Sequence, residues 1–287
     1  MKFFFNKRRE EEDFRKKTEI ILELRRNAKE IRKDILKIIY KTKSPHIGSS
    51  LSCVDILTAL YFRILKIYPS NPEFPHRDRF ILSKGHGCPA LYATLVRRGF
   101  FKKEILDKFA VDNGTLEQHP TCNISLGIEA STGSLGHGLS MGIGMAISGK
   151  YDKSNYRVFV LMSDGECNEG SVWEAAMFAP KHNLDNLIAI IDYNKIQAMN
   201  RTNEIVSLEP LVDKWKAFGW ATHEINGHDF REIIETLEQV PFETDKPSVI
   251  VAHTIKGKGV SFMEDKVLWH FRHPNEEEYK AAWRELK

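Results

Sequence analysis

Residues 157–194 read RVFVLMSDGECNEGSVWEAAMFAPKHNLDNLIAIIDYN. Two runs here, 157–162 and 186–194, are almost wholly apolar and rich in Val and Ile. Such runs read as strands buried on both faces rather than half-exposed ones. Between them, 171–183 has helical composition, with Pro180 placed to end or kink the helix. Strand, crossover helix and strand form a βαβ unit, which makes the two strands parallel. Each run stops at polar residues: Asp164-Gly165 after the first, Asn194 after the second.

The same alternation continues on either side. Upstream, Ile20, Leu24, Ala28, Ile31, Ile35 and Ile38 recur on one face of a first helix. A loop is expected over 44–52, a helix over 53–65, a short strand over 79–83, and helices over 88–98 and 102–111. A long connection, 112–138, leads into a small-residue helix over 139–148; loops of that length in compact domains are usually functional. Downstream come a helix at 209–218, a strand at 221–225, a helix at 229–239, a strand at 248–254 and a last helix at 275–286. This pattern predicts an α/β fold, an open, mostly parallel sheet with helices on both faces.

Composition narrows the classes. The chain has 287 residues, 42% hydrophobic and 28% charged, with a net charge of +3. These values suit a soluble globular protein. The apolar runs fall far short of the ~20 residues a membrane helix needs, so no membrane partner is expected. The Phe3–Phe5 run is followed at once by charges and is too short for a signal-peptide core. Cys53, Cys88, Cys122 and Cys167 are widely spaced, without a CxxC pair, which argues against zinc or a disulfide framework and for a reducing, cytoplasmic setting. Residues 1–43 hold 15 Lys and Arg against 8 Asp and Glu. That excess reads as a solvated helix face; with no interleaved aromatics, nucleic acid is not an expected partner.

In open parallel sheets, ligands bind outside the carboxyl ends of the strands. Neighbouring strands lie about 4.8 Å apart, so Asp164 and Asn194 could reach one cation from two sides. Few, hard oxygen ligands suit Mg²⁺, which is usually completed by water and phosphate oxygens. Gly165 would let the backbone approach a diphosphate. An Asp-Gly pair alone is most often a plain turn; the spacing to Asn194 across a βαβ unit is what makes it a candidate site. His46, His86, His119 and His137 all sit beside Gly or Pro in loops, and imidazoles clustered at one sheet edge suit proton transfer. His182, His223 and His253 read as structural, and Cys167 as a bystander. The Lys256–Gly259 loop reads equally as a phosphate contact or a surface loop.

The segment from Ser163 to Asn194 resembles the diphosphate-binding motif of thiamine-diphosphate enzymes, a GDG followed at 25–30 residues by Asn. The motifs SPHIGSSLSCVDIL (44–57), DRFILSKGHGCPALY (78–92), LEQHP (116–120), EASTGSLGHGLSMGIGMA (129–146), NLIAIIDYNKIQ (186–197) and HTIKGKGVSFME (253–264) occur in the order of the transketolase family. The resemblance runs from about Lys29 to the C-terminus. It implies a diphosphate-binding (PP-type) domain over 29–287 behind a basic helical extension, 1–28. It implies thiamine diphosphate with Mg²⁺, or another divalent cation such as Ca²⁺ or Mn²⁺. Asp164, Asn194 and the Ile196 carbonyl resemble the metal ligands, and Gly165 the residue against the diphosphate. Glu169 resembles a carboxylate near cofactor and subunit contact. Gly133, Ser134 and Leu135 resemble the backbone around the aminopyrimidine. His46, His86 and His119 resemble histidines around the thiazolium carbon and substrate hydroxyls, and His270 one near diphosphate and substrate.

The sequence departs from that pattern at several points. Ser163 stands for the first Gly of GDG, Ser134 and His137 for Pro and Gln, and Asn200 and Phe271 for glycines. The resemblance covers the diphosphate half only. It therefore implies the N-terminal subunit of a split transketolase, acting on sugar phosphates with a separate C-terminal subunit that carries the pyrimidine-binding domain, as an α2β2 heterotetramer. Left open are a deoxyxylulose-phosphate-synthase-like or specialised-sugar relative, a non-catalytic thiamine-diphosphate-binding module, and a divalent-metal-binding α/β protein without thiamine.

Overall fold

The computed structural model describes residues 2–287, with side-chain surroundings from residue 15 onward; the residues of the basic N-terminal arm before that lie outside the described side chains. The helices are α1 (Lys2–Thr42), α2 (Ile47–Ser52), α3 (Val54–Ala59), α4 (Cys88–Arg98), α5 (Gly138–Tyr151), α6 (Gly170–Lys181), α7 (Thr202–Ile205), α8 (Leu211–Ala217), α9 (Phe230–Leu237) and α10 (Glu276–Glu285). The strands are β1 (Arg79–Leu82), β2 (Val158–Ser163), β3 (Leu187–Tyr193), β4 (Ala221–Asn226) and β5 (Ser248–His253). They form one sheet in the order β1-β2-β3-β5-β4, and every pairing is parallel.

Alternation along the strands divides the core into two. Phe159 and Leu161 on β2 stand opposite Ile188 and Ile190 on β3, and all four pack with α1, α3, α4 and α9 on one face. Val158, Val160 and Met162 stand opposite Leu187, Ala189 and Ile191, and pack with α5, α6 and α8 on the other. Every residue of β2 and β3 is buried. Truncating one such side chain to Ala costs about 2–5 kcal/mol. This double-sided burial is why the two runs lack polar alternation. On α1, the stripe Leu24, Ala28, Ile31, Ile35 and Ile38 is buried, and the helix continues unbroken past residue 28.

Three local readings change. The expected loop at 44–52 contains α2, with Ile47 and Leu51 fully buried; its Gly and Ser content hid a helix that tertiary burial stabilises. The expected helix over 53–65 is α3 followed by a π-helical turn, Leu60–Ile64. The expected helix over 102–111 is a 3₁₀ segment, Lys103–Lys108. Pro180 lies in the last turn of α6, close to where the helix ends.

Candidate active site

The carboxyl ends of β1, β2, β3 and β5 open into a cleft of about 290 Å³, at the small end of the range of small-molecule sites. Asp164 follows β2 and Asn194 follows β3, at the tips of hydrogen-bonded neighbours. Both are almost fully buried, and both line the cleft with Gly165 and Ile196. Asp164 accepts from the Gly165 amide at 2.7 Å, the Lys195 amide at 2.5 Å and the Thr202 hydroxyl at 3.3 Å. Asn194 Oδ1 accepts from the Ile196 amide at 3.1 Å. Burial, then the nearby Asp192, pushes the Asp164 carboxyl up to about 6. An acid held this way is under-compensated by positive charge.

Beneath it lies a second buried acid with a different balance. Asp192 and Lys84 form an ion pair with no exposed surface on either side chain. Asp192 also accepts from Ser52 Oγ at 2.6 Å and from the Thr254 hydroxyl. Lys84 donates on to the Ser49 carbonyl at 2.8 Å. Burial works against both charges, yet each holds the other charged: Asp192 is shifted down and Lys84 up.

Histidines form the wall. His46, His86 and His270 have ring centroids 5.1–5.6 Å apart. His46 sits at φ 70°, before α2, with its amide donating to the His270 carbonyl at 2.9 Å. Its Nδ1 is buried without a partner among the described residues. Burial, followed by neighbouring positive groups, lowers His46 to about 4 and takes His86 and His270 well below the ordinary value. All three are therefore disfavoured as imidazolium and stand as neutral rings at pH 7. His119 also lines the cleft, from an exposed position. Gly133, at φ 155°, lies so close to it that a Cβ would stand 3.0 Å from the His119 ring.

Lys256 projects into this wall and is 1% exposed. Its ammonium reaches Ser49 Oγ at 3.1 Å, the Ile196 carbonyl at 3.2 Å and His270 Nδ1 at 2.9 Å. An ammonium donating into Nδ1 leaves the ring proton of His270 on Nε2. Burial, then Lys84, lowers Lys256 to about 8. The stem passes over Gly48, where a Cβ would stand 3.0 Å from Lys256 Cγ.

The cleft thus gathers His46, His86, His119, Gly133, Leu135, Asp164, Gly165, Asn194, Ile196 and His270. Ser134 and Glu169 are exposed and outside its lining, as is His137. Of the three carboxylates in the 164–169 loop, only Asp164 faces the cleft. Glu166 is fully buried and accepts from the Ser83 hydroxyl, the Gly136 amide at 2.8 Å and the Ser163 amide at 3.2 Å. It ties the 133–138 loop to the end of β2. Lys84, Asp192, Ser49 and Gln197 carried no prediction from sequence; Lys84 lies two residues from His86, the one signal available for it.

A divalent ion fits the donors available. Among the described residues no three His, Cys, Asp or Glu side chains cluster as a ready-made cage. One carboxylate, one amide oxygen and one backbone carbonyl are instead a hard-oxygen set that leaves positions for water and phosphate. The raised Asp164 carboxyl and the orphaned His46 Nδ1 both belong to residues that line the cleft.

Residues 24–286 match the family described as transketolase, thiamine diphosphate binding domain. The chain is 48% identical over 255 residues to an apulose-4-phosphate transketolase subunit of Phocaeicola vulgatus, covering 89% of this chain and 90% of that protein. It is 47% identical over 266 residues to the 6-deoxy-6-sulfo-D-fructose transketolase subunit SqwG of a Clostridium species, covering 93% and 97%. Among solved structures, transketolase from Leishmania mexicana superposes with a TM-score of 0.84 at 27% identity, over 92% of this chain; the chain spans 41% of that one.

Proposed function

Because the chain belongs to the transketolase family through its thiamine-diphosphate-binding domain, we propose that it is the N-terminal subunit of a split transketolase. With a second chain, it transfers a two-carbon ketol unit between sugar phosphates. The observation that carries this reading is the convergence of Asp164, Asn194 and Ile196 with four histidines in one cleft.

Asp164, Asn194 Oδ1 and the Ile196 carbonyl would hold Mg²⁺, or Ca²⁺ or Mn²⁺ in its place, against a diphosphate. Gly165 leaves room for the diphosphate itself, and Lys256 adds positive charge beside it. The backbone of 133–135 would face the ring system; Glu169 would act from the rim, where cofactor and subunits meet. Thiamine diphosphate, when bound, supplies a carbon nucleophile and an electron sink. The chain's own part is to orient and to move protons. His46 and His86 are kept neutral, so each keeps a ring nitrogen able to accept from a sugar hydroxyl at pH 7, while His270, its Nδ1 taken by Lys256, offers its Nε2–H as a donor. His119, at the exposed mouth, would meet the sugar first.

The Phocaeicola vulgatus and Clostridium relatives both carry names that make them one subunit of a transketolase, which supports a partner chain. We assign to that partner the pyrimidine-binding domain and to the assembly an α2β2 form, with residues 1–28 as a helical extension of the domain that follows. Four free cysteines, three of them buried, support a cytoplasmic setting, and no described helix is long and apolar enough to cross a membrane.

Calorimetry with thiamine diphosphate and Mg²⁺, with and without a C-terminal subunit carrying the pyrimidine-binding domain, tests the reading. Metal-dependent binding is expected, with ketol transfer only when both chains are present. Turnover by the lone, monodisperse chain would overturn the split. Metal binding without thiamine diphosphate in either case would leave only a metal-binding α/β protein. Binding without transfer in a full sugar screen would leave a non-catalytic module. The screen should include apulose 4-phosphate and 6-deoxy-6-sulfo-D-fructose, because relatives at 48% and 47% identity carry those names. Those names favour a specialised sugar as the second reading.

A further inference from the structure

Behind the cleft, the buried Arg32 and Asp55 and the partly buried His228 form a chain across the fold. Arg32 on α1 holds Asp55 on α3 with both terminal nitrogens, at 2.9 and 2.7 Å. Asp55 also meets Nδ1 of His228, in the turn between β4 and α9, at 2.8 Å. On its far side, His228 Nε2 accepts from the Ile255 amide at 2.9 Å. Since the amide can only donate, the ring proton lies on Nδ1, facing Asp55. Arg32 Nε reaches the same segment three residues later, donating to the Lys258 carbonyl at 3.0 Å. Ile255 and Lys258 bracket Lys256. A segment held on its outer side at two points therefore delivers one ammonium on its inner side to Ser49, Ile196 and His270.

We propose that His228, fixed by Asp55 and Arg32, is a positioning residue for Lys256: it sets where that ammonium stands in the cleft through the Ile255 amide. The imidazole acts as a spacer with a defined tautomer, a donor towards the acid and an acceptor towards the loop. Its effect on cofactor binding rests on the function proposed above; its effect on the segment does not.

Two substitutions separate the two halves of the imidazole. His228→Gln keeps an acceptor where Nε2 stands, and His228→Asn keeps a donor where Nδ1 stands. In the full-length chain, H228N is expected to speed amide exchange at residues 255–259 about tenfold. It should also raise the Kd for thiamine diphosphate with Mg²⁺ about tenfold. H228Q should stay within about threefold of the parent in both. A purely structural histidine would instead lower the melting temperature equally in both variants. Equal effects of the two variants, or unchanged exchange at 255–259 in H228N, would overturn the proposal, as would faster exchange with unchanged Kd. A parent protein that binds no thiamine diphosphate would sink the functional reading, while the exchange comparison still decides whether His228 positions the segment. Should H228N not fold, Arg32→Lys removes the Nε–H on the Lys258 carbonyl and keeps a cation beside Asp55; unchanged exchange there would also count against the proposal.

Discussion

The floor of the cleft and its lip hold buried aspartates in opposite conditions. On the floor, Asp192 has a lysine and two hydroxyls, and its carboxyl lies below the ordinary range. At the lip, Asp164 has two amides and one hydroxyl, no direct cation among the described residues, and a carboxyl raised to about 6. The two acids lie one position apart across the β2–β3 ladder, on strands whose ends are joined by the Asp164 amide and the Asp192 carbonyl. A buried charge whose partners are complete is structural; one whose partners are incomplete is positioned for something brought in from outside. That difference, more than burial, separates scaffold from site.

The sharpest way to break the comparison is to neutralise each acid. Asp164→Asn should abolish metal-dependent binding of thiamine diphosphate, a loss of at least about a hundredfold, because an anionic ligand disappears from a small set. It should lower the melting temperature of the cofactor-free chain far less than Asp192→Asn does, since removing a poorly compensated acid offsets the acceptor lost to one backbone amide. Calorimetry and thermal unfolding check the two halves. A marked drop in melting temperature would make Asp164 a structural residue like its neighbour. Asp192→Asn should do the reverse and destabilise the chain by about 3–5 kcal/mol, by leaving Lys84 buried without its counter-ion. Urea unfolding reads this directly, and an unchanged midpoint would show that the floor is not what holds Lys84.

Asp55 gives a smaller, pH-resolved version of the floor. Burial pushes its carboxyl up, but Arg32 and His228 overcome this and bring it down to about 2. A folded value below the unfolded one contributes stability above about pH 4, and that contribution is lost as pH falls towards 2. Asp55→Asn should therefore cost about 2 kcal/mol near neutrality. The gap between parent and variant should narrow as pH drops from 5 to 2.5. A gap that stays constant with pH would show that packing, not charge, is what the variant lost.

How much could be read beforehand follows from the range of the interactions. β2 and β3 were legible because a strand buried on both faces needs apolar residues at every position, a signal carried within each run. The Asp164–Asn194 pairing was legible because one crossover fixes the distance between two strand ends. α2 was not: its Gly48, Ser49 and Ser50 have poor helix propensity, and only the burial of Ile47 and Leu51 makes a helix there. Lys84 and Asp192 lie 108 residues apart, and nothing local announces a buried ion pair. Lys256, followed by Gly257, Lys258 and Gly259, had the composition of a surface loop; its burial depends on Gly48, more than two hundred positions earlier. Glu166 and Glu169 looked alike in the chain, and the direction each side chain takes separates them.

The order of the sheet has an evolutionary consequence. Because all five strands run the same way, each loop that reaches the cleft hangs from its own strand or helix end, like separate fingers on one palm. A substitution in one finger need not disturb the ladder or the others. A lineage can thus redraw single loops while the paired strand ends that carry Asp164 and Asn194 stay as they were.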